Sequence, residues 1–313
     1  MKRLFLKRLF QTTILVLCTL INQAFGAKHT VISNSEYGPV EAVWSVLLII
    51  VEQTDVRGVV VNGEKYSYTG QLPEDEIQAA IRGFTVFPKL TARLTNGRVL
   101  IDAHYVRKQG PVTRVSSDGR GGVWLSSNDA REIIQRYDQS GEWDTIAVHW
   151  RLGKLPSKYL GWGGAFTPNR ATYITITETS PEKWASAFGE ELFLHEWIHC
   201  IGSYFLKLGF AEFIPKHDAD AAENWGYSPD HNGCLCRFYA DLLNGKIPYK
   251  NGLIGFTRAM WGQGVNTEFS NAGRMQGSSI PSSPPFGPST GGPPGFFDGP
   301  PPPGFPFSPY VLR

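Results

Sequence analysis

Residues 171–177 read Ala-Thr-Tyr-Ile-Thr-Ile-Thr, and residues 192–202 read Leu-Phe-Leu-His-Glu-Trp-Ile-His-Cys-Ile-Gly. The first run is dense in β-branched residues and predicts a strand over 171–179. Ser180-Pro181-Glu182 follows it, with a cap residue, a proline where the missing N–H costs nothing, and an acid in the first turn. That combination predicts a helix start. The helical pattern runs to about Leu208 and is closed by Gly209, with Gly189 as the point where it would break. Strands followed by helices in this order predict an α+β domain.

Within that helix stands His195-Glu196-Trp197-Ile198-His199, an H-E-x-x-H pattern. Residues four apart share one helix face, so His195 and His199 can turn an imidazole nitrogen toward one zinc ion. Glu196 is rotated about 100° from His195 by the helical repeat. Its carboxylate can then act as general base toward a zinc-bound water, whose pKa the metal lowers to about 7. The flanking residues Leu192, Phe193, Leu194, Trp197, Ile198 and Ile201 are apolar, as a buried helix requires.

Upstream, Val40–Glu52 contains an unbroken apolar run from Val46 to Val51 and reads as a buried helix. Val56–Tyr68 carries Asn62-Gly63 between Val59-Val60-Val61 and Tyr66-Ser67-Tyr68, a hairpin signature. Arg98–Tyr105 and Asp144–Trp150 predict strands. Asn128-Asp129 opens a short helix to Gln139, and Gly161-Trp162-Gly163-Gly164 reads as a flexible loop. His29, His104, His149 and His231 each stand alone in sequence, and His149, between Val148 and Trp150, reads as structural.

The two ends differ from this middle. Lys2, Arg3, Lys7 and Arg8 precede a mostly apolar stretch from Leu9 to Ile21, and Ala24-Phe25-Gly26 offers small residues before Ala27. This is the layout of a secretory signal over 1–26, and the apolar run is short of the roughly 20 residues a membrane anchor needs. The product is expected to be secreted or extracytoplasmic, with no stable membrane span after cleavage. Pro281–Arg313 holds 12 of the 22 prolines, with six glycines and five phenylalanines. Such a composition cannot build ladders or helices, so 276–313 reads as a disordered tail, with a polyproline ligand or surface-attachment segment that binds a partner as the alternative. The folded domain is expected over 27–275.

Composition agrees with one globular domain in 313 residues: 42% hydrophobic, 13% aromatic, 19% charged. A fully disordered chain, collagen, a disulfide scaffold and a multi-span membrane protein are all excluded. The formal charge of +2 comes from the four basic residues of the signal. It gives no reason to expect nucleic acid as a partner. Cleavage of the signal leaves Cys200, Cys234 and Cys236. A bridge from Cys200 to Cys234 or Cys236 would tie the downstream loop to the helix, since cysteines two apart seldom pair. The alternative is that the C-x-C pair binds metal.

Over the 60 residues from Ala171 to Asp230 the chain resembles the zincin metallopeptidases, the gluzincin and metzincin clans and their relatives. The resemblance implies a zincin-like mixed sheet and Zn2+ as cofactor. It implies a protein or peptide as substrate and a strand beside the cleft, Ala171–Thr177, that pairs with it. Gly202 matches the glycine of the longer metzincin pattern, but Phe205 stands where that pattern has its third histidine, so the third ligand must come from elsewhere. His217 is the first choice. Glu223 would be the gluzincin-like ligand, and Asp218 or Asp220 the aspzincin-like one. The segment His217–Tyr227 also resembles one in secreted proteins that carry His-Glu-Trp-x-His. Tyr227 takes the place of the tyrosine that stabilises the oxyanion in several zincins, although a packed core tyrosine is the simpler reading.

The expectation is therefore a secreted zinc endopeptidase with metal ligands His195, His199 and His217, and with Glu196 and Tyr227 catalytic. Its rivals are a zinc hydrolase acting on another amide, and a non-catalytic binding protein on the same scaffold.

Overall fold

The apolar run at residues 46–51 forms the centre of a sheet, not a helix. In the computed structural model, which describes residues 40–117, 122–138, 141–157, 160–178, 184, 187–210, 219–230, 233–249 and 252–264, strand β1 spans Ala42–Val61. Val46, Leu48 and Ile50 enter one buried cluster, and Leu47, Ile49 and Val51 enter another on the opposite face. A strand covered on both faces loses the alternation that marks a half-exposed one. Its unbroken hydrophobicity then mimics a buried helix, which is why the sequence expectation of a helix over 40–52 fails here.

β1 turns at Asn62-Gly63, both at positive φ (52° and 84°), into β2 (Glu64–Gln71), with Val61 opposite Glu64. This is the hairpin read from the sequence. Helix α1 (Glu74–Leu94) then crosses to β3 (Val99–Val112), parallel to β1. A small ribbon follows, β4 (Ser116–Ser117) with β5 (Val123–Trp124). Helix α2 (Arg131–Tyr137) begins three residues after Asn128, and the Asp129 carboxylate accepts from Ser126 instead of capping the helix.

β6 (Thr145–Trp150) lies parallel to β1, and β8 (Thr172–Thr177) lies parallel to β6. Between them in sequence comes β7 (Gly161–Phe166), antiparallel to β8 at the edge of the sheet. The glycine-rich segment expected as a loop is therefore a strand. Helix α3 (Ala187–Lys207) runs through Gly189 without a break. It ends where Gly209 adopts φ +92°, with Gly209 N–H bonded to Leu206 and Phe210 N–H to Phe205. That pair of bonds is a Schellman motif, and it needs the left-handed residue that glycine supplies at no cost. The described chain finishes with α4 (Ala219–Asn224), α5 (Cys236–Leu243), the hairpin β9 (Ile247–Tyr249) and β10 (Gly252–Ile254), and α6 (Arg258–Gly264).

The result is an α+β arrangement around a mixed six-stranded sheet. One face is covered by α1, α3, α5 and α6, whose residues join the larger cluster; the other carries the smaller cluster with α2 and the β4–β5 ribbon. Among the described residues no helix is long and apolar enough to cross a membrane. The signal segment 1–26, the tail 276–313, His29, His231 and the expected helix start at 180–182 lie outside the described residues.

Candidate metal centre

Helix α3 is apolar almost all round, so its position is set by burial on several sides at once. Trp197 packs edge-on against Trp44 at 6.0 Å and Phe87 at 5.7 Å, and stacks with Trp261 at 6.3 Å. Phe193 meets Phe84 at 5.0 Å. These contacts hold the opposite face of the helix, with His195, Glu196 and His199, toward the edge of the sheet.

His195 and His199 sit one turn apart with ring centroids 5.0 Å from each other and planes 80° apart. His195 and Glu196 are each only 4% exposed. Burial pushes the His195 imidazolium down to about 3 and the Glu196 carboxyl up to about 8. Burial, and then the neighbouring His195, hold His199 well below the usual histidine range. Both shifts favour the neutral imidazole, the form in which nitrogen donates to a metal.

His195 Nδ1 lies 2.7 Å from the hydroxyl of Tyr239, a fully buried residue of α5. An acceptor on Nδ1 favours the tautomer in which Nε2 carries the lone pair that ligates. Two imidazoles on one helix face, one contacted from behind, beside a carboxylate taken out of solvent, fit a zinc ion.

The carboxylate has a matching recess in the strand beside it. A Cβ at Gly161 of β7 would overlap the Glu196 carboxylate, and one at Gly163 would overlap the Glu196 carbonyl oxygen. Gly164, at φ +104°, is the extra residue of a bulge between Gly163 and Ala165. The sequence of β7 thus removes side chains where the helix comes closest. The expectation that Ala171–Thr177 is the substrate-pairing strand is corrected by the same topology. β8 is bonded to β6 on one side and β7 on the other, and its ladder groups are already used. The strand at the sheet edge beside α3 is β7.

Of the expected third ligands, His217, Asp218 and the Asp220 side chain lie outside the described residues. Glu223, on α4, is exposed. Tyr227 donates its hydroxyl to Asp241 at 2.8 Å and packs edge-on against Phe238 at 5.3 Å. Burial and the Asp241 carboxylate push its phenol up to about 12. That hydrogen bond directs it to α5, and the tyrosine that meets the histidine pair is Tyr239.

The cysteine pairing also differs from expectation. Cys234 bonds to Cys236, and Cys200 is a buried free thiol whose Sγ lies 3.4 Å from the Tyr173 carbonyl of β8. Cys200 faces the sheet, whereas the bridged pair lies against Glu191 on another face of α3, so the helix itself separates them. Among the described residues, Glu191, Cys234 and Cys236 form the only trio whose ligand atoms lie within 4.8 Å of one another. With the two sulfurs joined, neither is a thiolate donor. The Glu191 carboxylate instead accepts from Leu235 N–H at 3.2 Å.

His149 is fully buried, with Nδ1 3.2 Å from the Ile176 carbonyl and Nε2 3.4 Å from Glu76. It serves the core, as its strand position suggested. His104 pairs with Asp102 at 2.9 Å, away from the pair on α3.

The sequence reading missed Tyr239 and the role of Gly161 and Gly163. The apolar stripe Phe238, Tyr239, Leu242, Leu243 of α5 could have turned Tyr239 inward, but nothing in it names His195 as the residue it meets. The chain finds no match among family models, curated proteins or solved structures.

Proposed function

We propose that this chain is a secreted or extracytoplasmic zinc-dependent peptidase of zincin type, hydrolysing peptide bonds with Glu196 as general base. The observation that carries the reading is the placement of His195 and His199 one turn apart on one helix, with the buried Glu196 carboxylate between them in sequence and against a glycine-lined edge strand. When bound, zinc supplies Lewis acidity and a water of lowered pKa. His195 and His199 hold the metal, and His217 is proposed as the third protein ligand. Glu196 takes a proton from the attacking water as its oxygen bonds to the scissile carbonyl carbon. It passes that proton to the amide nitrogen as the C–N bond breaks, so that acid and amine leave. An extended peptide laid along β7, the last strand of the sheet, would bring the scissile bond beside Glu196.

The test is a pair of measurements on the purified secreted protein. Elemental analysis is expected to give about one zinc per chain. Glu196→Gln is expected to keep that zinc while lowering peptide hydrolysis about 10²- to 10⁴-fold. A folded chain that takes up no zinc, or a Glu196→Gln variant of undiminished activity, overturns the reading. For the third ligand, His217→Ala is expected to release zinc and Glu223→Ala to retain it.

A further inference from the structure

Glu191 and His195 lie four residues apart on α3, and Leu235 and Tyr239 lie four residues apart at the start of α5. The two spacings are matched. Glu191 accepts the Leu235 N–H at 3.2 Å, the Leu235 carbonyl accepts the Tyr239 N–H at 3.0 Å, and the Tyr239 hydroxyl lies 2.7 Å from His195 Nδ1. These bonds close a circuit between one turn of each helix. The bridge from Cys234 to Cys236 spans Leu235, the N-cap residue of α5, and so stiffens the corner of that circuit.

Tyr239 is fully buried, and its ring packs against Phe238 at 5.8 Å and edge-on to His195 at 6.2 Å. A phenylalanine would fill the same space. The hydroxyl adds a polar atom to a buried place, which costs free energy unless it is bonded, and it lies within hydrogen-bond distance of a histidine of the candidate centre. A histidine that ligates through Nε2 carries its proton on Nδ1, and an acceptor there fixes both tautomer and ring orientation.

We infer that Tyr239 is a positioning residue for the metal centre: its hydroxyl oxygen accepts from His195 Nδ1–H and holds Nε2 toward the ion. This rests on the zinc reading above. It assigns the task of orienting His195 to a phenol on α5, a helix that the H-E-x-x-H pattern does not include.

The experiment measures zinc affinity by competition with a chelator, and the visible spectrum of the Co2+-substituted protein, for wild type, Tyr239→Phe and Tyr239→Gln. The thermal midpoint of each metal-free chain serves as the fold control. Tyr239→Phe is expected to weaken zinc binding about 10- to 100-fold and to shift the Co2+ absorption. Tyr239→Gln, which keeps an acceptor oxygen, is expected to recover most of the affinity. A folded Tyr239→Phe with wild-type affinity and spectrum overturns the inference. So do folded Phe and Gln variants that are equally weak, since an acceptor oxygen at this position would then not restore His195. If Tyr239→Phe does not fold, the Gln variant decides: affinity near that of wild type supports the inference, and a loss beyond about tenfold in a folded chain overturns it. A wild-type chain that takes up no zinc overturns the peptidase reading and this inference with it. Wild-type uptake with an unaffected Tyr239→Phe overturns this inference alone.

Discussion

Strands β6 and β7 both flank β8, and they are built on opposite principles. All six residues of β6 are buried: Ile146, Val148 and Trp150 fill one face of the sheet, and Ala147 lies in the cluster on the other. β7 has three glycines among its six residues, all six are only partly buried, and it lies at the sheet edge. Interior strands stabilise by side-chain volume. This edge strand does its work by lacking side chains, because the backbone of α3 and the Glu196 carboxylate occupy the space a Cβ would take. The difference explains why hydrophobicity marked one strand in the sequence and hid the other.

The comparison can be broken at either strand. The largest expected effect is Trp150→Ala in β6, which removes a fully buried ring whose Nε1 donates to Thr175 at 3.0 Å. It should destabilise the fold by about 3–5 kcal/mol in denaturant unfolding, with the candidate metal site unchanged in whatever fraction stays folded. Gly161→Ala should do the reverse. The new methyl meets the mobile end of Glu196, so the carboxylate swings aside at little cost in stability. Peptide hydrolysis should fall about 100-fold while zinc content holds. If turnover is unchanged, β7 is an ordinary edge and the contrast with β6 fails.

Gly163→Ala separates the two mechanisms further. Its methyl meets the backbone of Glu196, which no rotamer change can move, so strand and helix must part. Overpacking of this kind should cost about 1–3 kcal/mol of stability, together with the loss of activity. A Gly163→Ala chain as stable as wild type would show that α3 tolerates displacement from β7.

The smallest effect lies at the entry to β6. Asp144 accepts from Ser45 N–H and Oγ, both at 2.8 Å, and burial nonetheless pushes its carboxyl up to about 6. Its folded pKa is raised, so its contribution to stability is present below the unfolded carboxylate range near 4 and is lost as pH rises through about 6. Asp144→Asn should flatten the fall in thermal midpoint between pH 4 and pH 6 relative to wild type. An identical pH profile in the variant would show that Ser45 satisfies the carboxylate fully.

Much of this architecture is legible in local patterns. Asn62-Gly63 announces its hairpin because a two-residue turn at positive φ admits few residue types. Gly209 announces the end of α3 for the same reason. The β-branched run at 172–177 announces β8, and four-residue spacing alone puts His195 and His199 on one face. Val46–Val51 misleads because a strand buried on both faces and a buried helix share one composition, and only the partners β3 and β6 separate them. Gly161–Gly164 misleads because glycine lowers strand propensity, and the compensating gain is contact with Glu196, 35 residues beyond Gly161.

The sequence by itself determined the chemistry that could be present: two imidazoles and a carboxylate at helical spacing. Helix geometry is local, and it follows from bonds that span four residues. Only the tertiary structure decided what surrounds them. It brought Tyr239 from 44 residues away to His195 Nδ1, joined Cys234 to Cys236 and left Cys200 against β8, and made β7 instead of β8 the edge beside the site. Such choices are set by which surfaces share burial across the folded chain. That competition among distant segments leaves no periodicity in the sequence to read.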